Sequence, residues 1–325
     1  MGGVTEAITA AVGGQERAGA PTKPSPAVSI VVPCFNGGHF LDGLMASLAR
    51  QTFRDFEIVI VDDGSGDPQT LRKLLALDGQ ATVIRQMNRG PAAARNAGIR
   101  RAKAELVFAL DCDDTIEPDF LAETVPLLRA SPPDVGMAFT DLRLTGAETG
   151  LVSRYFNRFD LLFTNTLSSG LVMRRDAWLA AGGYDEAMRS GYEDWDFSLR
   201  LARAGYRGLR VAKPLYVYHI ADDAAPSRST EIDTKRLYGG LWRHIRERHA
   251  ESYTMAAMMR LWKASRDGSG RVPLWKGLAA CALARVLPDA AFNVLIARLH
   301  RRPRADAARM PSGLSVFGTA AHNSN

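Results

Sequence analysis

Glu105-Leu106-Val107-Phe108-Ala109-Leu110-Asp111-Cys112-Asp113-Asp114 is a hydrophobic run that stops abruptly in three acids. The run reads as a buried strand. Carboxylates this close raise one another's pKa unless a cation sits among them. A hard divalent ion with oxygen ligands, Mg²⁺ or Mn²⁺, relieves the crowding most simply. The same residues also suit a solvated turn capping the next helix. The surrounding chain decides between these readings.

Three similar units precede this one. Val28 to Val32 is a near-continuous apolar strand of the kind found inside a parallel sheet. Pro33 to Gly38 breaks it, and Leu41, Leu44, Met45 and Leu48 then recur at helical spacing. A second strand, Phe56 to Val61, ends in Asp62-Asp63-Gly64-Ser65-Gly66-Asp67 and leads to a helix around Thr70 to Leu77. A third strand near Thr82 to Arg85 is followed by Asn88-Arg89-Gly90-Pro91 and a helix from Ala92 to Ala102. Strand, loop and helix alternate, so the fold is α/β with a mixed, mainly parallel sheet flanked by helices. Ligands of such sheets bind beyond the carboxyl ends of the strands. Pro33, Asp62, Asp63, Asp111 and Asp113 should therefore share one rim.

The following stretch is less regular. A helix is expected from Pro118 to Leu128, strands over Gly136 to Asp141 and Ser168 to Met173, and a short helix over Asp176 to Ala181. Tyr192-Glu193-Asp194-Trp195-Asp196 opens a helix that runs to about Ala204, and Leu209 to Tyr218 returns as strands ending at His219. Beyond Thr230 come amphipathic helices. From Ile232 to Asn325 there are 16 Lys/Arg and 6 Asp/Glu, a local charge of +10 against +6 for the whole chain. The expected organisation is a disordered lead (1–26), a catalytic domain (27–230) with a nucleotide-binding half (27–115) and an acceptor half (116–230), a basic helical extension (231–300) and a disordered tail (301–325).

Several classes are excluded. The turn after the first strand, Pro33 to Gly38, lacks the Gly-x-Gly-x-x-Gly of a nicotinamide dehydrogenase, and no P-loop Gly-Lys-Ser/Thr occurs. Three scattered cysteines, Cys34, Cys112 and Cys281, argue against a disulfide framework and suit a reducing compartment. No signal peptide or membrane span is evident. Clustered arginine without a recognisable binding motif makes a nucleic-acid partner unexpected.

With these residues in view, the sequence resembles the family 2 glycosyltransferases of the GT-A fold over roughly residues 27–225. The resemblance rests on VSIVVPCFN (Val28 to Asn36), VDDGS (Val61 to Ser65), Asn88 to Asn96 with Arg95, LDCDD (Leu110 to Asp114), Gly182 to Asp185, and YEDWD (Tyr192 to Asp196), in that order. It implies inverting transfer of a sugar from a nucleotide-diphosphate donor, with UDP as the family default, to an acceptor hydroxyl of a glycan or lipid-linked molecule in cell-surface polysaccharide or glycolipid synthesis. It also implies particular residues. Pro33 and Phe35 line the nucleobase pocket, Asp63 accepts from base or ribose, and Arg95 lies near the diphosphate. Asp113 contacts a Mn²⁺ or Mg²⁺ ion directly. Asp111 lies on the ribose side with a second metal contact, and His219 adds a further metal or diphosphate contact. Asp194 is the catalytic base, Asp62 is structural, Asp114 is a local cap, and Ser169, Gly170 and Trp195 border the acceptor. Arg228 would close over the diphosphate, and Cys112 points away and is inert. A non-catalytic nucleotide-sugar or glycan-binding protein on the same fold is the alternative. Localisation is expected to be cytoplasmic. The basic extension either rests on the inner face of a membrane or packs against the catalytic domain.

Overall fold

The computed structural model describes residues 25–189, 191–220, 242–265, 271–288 and 291. Residues 1–24 of the lead, Arg228, residues 231–241 and the tail from 301 lie outside them. The first strands and helices are β1 (Val28–Cys34), α1 (Gly38–Ala49), β2 (Phe56–Asp62), α2 (Pro68–Leu75), β3 (Thr82–Arg85), α3 (Pro91–Arg101) and β4 (Leu106–Ala109). Then follow β5 (Thr115–Ile116), α4 (Phe120–Ala130), β6 (Val135–Gly146), β7 (Gly150–Val152), β8 (Val172–Arg174), α5 (Arg175–Ala180), α6 (Glu193–Arg203) and β9 (Arg207–Ile220). In the extension, residues 242–248 are helical (α7), followed by α8 (Met255–Ala264) and α9 (Leu274–Val286).

One sheet runs through both expected halves, in the order β3-β2-β1-β4-β8-β6-β9-β5, with β7 paired to β6. β1 pairs in parallel with β2 and β4. β8 is antiparallel to both β4 and β6, and β9 is parallel to β6. Two reversals restore the direction, so the carboxyl end of β9, with His219, reaches the same rim as those of β1, β2 and β4.

Alternation along the strands feeds two cores. Ile30 and Val32 of β1, Ile58 and Ile60 of β2, and Leu106 and Phe108 of β4 face α1, α2 and α4. Val31, Val59 and Val107, on the other face, pack with α3, α5 and α6. Trp242, Ile245, Met258, Ala280 and Ala284 of the extension belong to this second core.

Two expectations change. The strand expected over Ser168 to Met173 is reduced to Val172–Arg174. Ser168 and Gly170 take positive φ values of 47° and 80°, which an extended strand does not allow. The return after Leu209 is one strand, with a register shift against β6 between Thr140 and Leu142.

Candidate active site

Phe35 follows β1 and is 46% exposed, so its ring is not part of the core. Pro33 is half-buried beside it. Asn36 adopts φ 51° and its side-chain oxygen accepts from the backbone N–H groups of Gly66 and Asp67. The loops after β1 and β2 are thus stitched together.

Both acids that end β2 are buried. Asp62 accepts from the Ser65 N–H at 2.9 Å and pairs with Arg85 at 3.2 Å, a structural role as expected. Asp63 accepts from Gln86 Nε2 (2.8 Å), Arg89 N (2.9 Å) and Gly90 N (2.8 Å). Its carboxylate organises the loop between β3 and α3, and Oδ2, with a single bond, keeps capacity for one more donor. Gly64, at φ 80°, lets that loop close: a Cβ there would stand 2.8 Å from Asn88 N.

The acid triplet separates into three environments. Asp111 is partly exposed and meets Arg95 Nη2 at 2.6 Å. Burial and the neighbouring Asp111 charge push the Asp113 carboxyl up to about 6, against the opposing pull of His219 and Arg95. Asp114 is 1% exposed and accepts from the Tyr216 hydroxyl at 2.6 Å and the His219 N–H at 2.8 Å. It is therefore not a cap on the next helix: it fastens β9 to the end of β4. Burial, followed by the Asp113 and Asp111 charges, holds its pKa well above the ordinary carboxylate range. The ring of His219 lies edge-on to Phe40, with centroids 5.8 Å apart. The sulfurs of Cys112 and Cys34 both lie beside Gly37, at adjacent strand ends. A Cβ on Gly37 would come 2.6 Å from the Cys112 sulfur.

The opposite wall is the start of α6. Tyr192 occupies the N-cap in a left-handed conformation, φ 62°, so Asp194 is the second residue of the helix, in its first turn, and is not its cap. Asp194 accepts from Asn165 Nδ2 at 2.9 Å and from the Trp195 N–H at 2.8 Å. Burial and the adjacent Glu193 charge push its carboxyl up to about 6, while Arg95 and the two hydrogen bonds pull the other way. Trp195 does not border a ligand: it is 0% exposed and donates its indole N–H to Leu161 O at 2.7 Å. Helical spacing carries its ring onto the core face, three residues from Ser198 and four from Leu199.

Arg95 joins the two walls. It is 7% exposed, donates to Asp111 Oδ1 and Glu193 Oε1 at 2.6 Å each, and stacks over Tyr184 at 5.4 Å. Burial works against its charge, but the two facing carboxylates hold its pKa well above the ordinary value. A small cavity is lined by Arg95, Ala109, Ser168, Ser169, Gly170, Leu171, Tyr184, Asp194 and Phe197. Ser169, Gly170, Asp194 and Arg95 thus share one lining.

Sequence reasoning passed over several contributors. Asn165 holds Asp194 from an irregular stretch with no periodicity to mark it. Arg154, 2% exposed, donates to the carbonyls of Thr140, Leu167, Ser169 and Gly170 and so fixes the cavity wall. Asn96 accepts from the Tyr184 N–H at 2.8 Å and donates to Tyr184 O at 2.7 Å. Its place beside Arg95 in one motif, and that of Tyr184 in another, was the available signal.

Among the described residues no group of three His, Cys, Asp or Glu side chains is arranged to hold a metal ion. No helix among them is long and apolar enough to cross a membrane.

Comparison with known proteins sets this geometry in context. Residues 29–168 match the family described as Glycosyl transferase family 2. The O-antigen biosynthesis protein RfbC of Myxococcus xanthus is 29% identical over 223 residues, 66% of this chain and 17% of RfbC. The chain spans about a third or less of the first curated relatives it matches, 36% and 17% of their lengths. The mannosyltransferase PcManGT from Pyrobaculum calidifontis, solved with GDP-Man and Mn²⁺, has a TM-score of 0.51 at 19% identity, over 87% of each chain. S. aureus TarS 1-349, solved with UDP-GlcNAc, has a TM-score of 0.52 at 20% identity, over 79% of this chain and 81% of TarS. At these identities the likeness speaks for the fold alone. The stretch 29–168 thus carries the match to the family 2 glycosyltransferases, on a fold shared with these GT-A-type transferases.

Proposed function

We propose that the chain moves a sugar from a nucleotide-diphosphate donor, UDP-linked by default, to an acceptor hydroxyl, with inversion at the anomeric carbon. The observation that carries the reading is Asp194. Its carboxyl is pushed up to about 6, it is fixed by Asn165, and it faces the acid triplet across Arg95. A base of that pKa is largely ionised at neutral pH and still able to take a proton. It removes the acceptor proton as the hydroxyl oxygen attacks C1 of the sugar. The C1–O bond to the diphosphate breaks, and the nucleoside diphosphate leaves from the opposite face. One displacement gives inversion.

Phe35 and Pro33 suit a nucleobase platform, since an exposed ring at the strand rim can stack. Asp113 and Asp111 suit a Mn²⁺ or Mg²⁺ ion. Such ions take one or two protein carboxylates and fill their other positions with substrate phosphates and water. Burial and then the Asp111 charge raise Asp113, and a cation bound there would offset both. His219 stands on the same rim as a supporting contact. When bound, the ion would neutralise charge on the departing diphosphate. Mn²⁺ beside GDP-Man in PcManGT supports this assignment, and GDP-Man and UDP-GlcNAc in the two neighbours leave the base for experiment. The naming of RfbC for O-antigen biosynthesis supports a surface-glycan or lipid-linked acceptor.

Peripheral contact with the inner face of a membrane belongs to the same reading. α9 exposes Trp275 (65%) and Val286 (75%), and residues 232–325 carry 16 Lys/Arg against 6 Asp/Glu. Flotation with anionic vesicles tests it: Trp275→Ala should weaken binding, and no binding by the full chain would sink the idea.

The first experiment is a thermal-shift screen of UDP-, GDP- and dTDP-sugars with and without Mn²⁺. The right donor raises the melting temperature by mass action, and Asp113→Ala abolishes the Mn²⁺-dependent part. Failure of every donor to bind would overturn the reading.

A further inference from the structure

Arg95 is the one cation in direct contact with both sides of the site among the described residues. Its guanidinium spans from Asp111, beside the expected donor, to Glu193, next to the expected base, at 2.6 Å on each side. The geometry is constrained. The side chain is 8% exposed, its plane lies over Tyr184, and Tyr184 is in turn fixed to Asn96, the next residue on α3. A planar fork serves two carboxylates at once; an ammonium is a point charge on a flexible stem. The bridge also joins α3 to α6 across 98 positions of sequence.

We propose that Arg95 is a positioning residue that couples the donor carboxylate Asp111 to the base-bearing end of α6, a role that rests on the transferase reading above. It touches neither sugar nor leaving group in this role. It acts through Asp111, keeping that carboxylate turned toward the rim, and through Glu193, setting the position of the first turn of α6 and neutralising the charge beside Asp194. A donor that draws Asp111 toward its own cation and ribose pulls on the same guanidinium that orders the base. Donor occupancy is thereby felt at Asp194 without a moving loop.

The test compares wild type, Arg95→Lys, Arg95→Met and Glu193→Gln for donor affinity by calorimetry, for kcat with saturating donor, and for the pH profile of kcat. Arg95→Lys is the variant most able to fold, since it keeps the charge. It is expected to bind donor within about 3-fold of wild type and to lose about 30-fold or more in kcat, because one ammonium cannot serve both carboxylates. The acid limb of the profile should move up in Arg95→Met, where a nearby positive charge is removed. It should move down in Glu193→Gln, where a nearby negative charge is removed. Opposite shifts are not produced by general loosening of the fold. A loss confined to donor affinity, or an acid limb that stays put in both variants, overturns the coupling and leaves Arg95 as a donor contact or a structural ion pair. The two readings fail separately. An inactive wild type counts against glycosyl transfer itself. An active wild type with an equally active Arg95→Lys counts against this inference alone.

Discussion

Asp113 and Asp194 both carry carboxyls raised to about 6, and for both the first cause is burial. The consequences for rate and stability run in opposite directions. A base must be ionised, so turnover should fall as pH drops through about 6, with an acid limb of slope near one in a pH–rate profile. For stability, the folded carboxyls titrate above the unfolded value of about 3.9, so the folded state binds more protons between about pH 4 and 6. These two groups therefore contribute less to stability as pH rises through that window. Asp113→Asn removes one such cost. In the absence of metal and nucleotide, it should raise stability at pH 8 by about 1–2 kcal/mol in denaturant unfolding, while losing metal-dependent activity. An unchanged or lower stability would mean that Asp113 already has a compensating partner.

At the scale of elements, α3 and α6 were both legible, and their junction was not. The Tyr192-to-Asp196 start marked α6, and the Asn88-to-Pro91 loop marked the start of α3. Nothing in either pattern says that Arg95 and Glu193, 98 positions apart, share a bond. Periodicity reports which face is buried, not which polar side chains meet there. The same gap explains Asp114, a turn residue by type but a buried anchor for Tyr216 and His219. It also explains Trp195, whose place in a motif suggested a ligand contact although its helix face points to the core. The strand ends were readable because parallel strands are continuous in hydrophobicity and stop at polar loops. The wall at 153–171 was not, because Arg154 holds it by backbone carbonyls that leave no side-chain pattern. Arg154→Met should unfasten that wall. With three or more buried carbonyls left without a donor, a loss of about 3 kcal/mol or more is expected in chemical unfolding.

Across the whole molecule, the extension is part of the second core rather than an appendage. Trp242 is 2% exposed and donates its indole N–H to Leu162 O at 2.8 Å. His249, also 2% exposed, meets Asp196 of α6 at 2.9 Å. Asp160 accepts from the backbone N–H groups of Arg271 and Val272, ahead of α9. The extension thus supports α6 from behind while Arg95 holds it from the front. Trp242→Ala should cost about 3–5 kcal/mol, read as a lowered melting temperature, with donor affinity retained in the fraction that stays folded. A Trp242→Ala protein as stable as wild type would show that the extension docks without contributing to the core.

The central claim is that Asp194 takes the acceptor proton, and its most direct test is Asp194→Asn measured for donor binding and for transfer in the same preparation. The change is nearly isosteric and keeps one of the two oxygens that accept from Asn165 Nδ2 and the Trp195 N–H. Donor affinity should stay within about 3-fold of wild type, while the transfer rate falls by about 10²–10⁴-fold, the usual worth of a general base. Transfer by Asp194→Asn at a rate close to wild type would contradict the account.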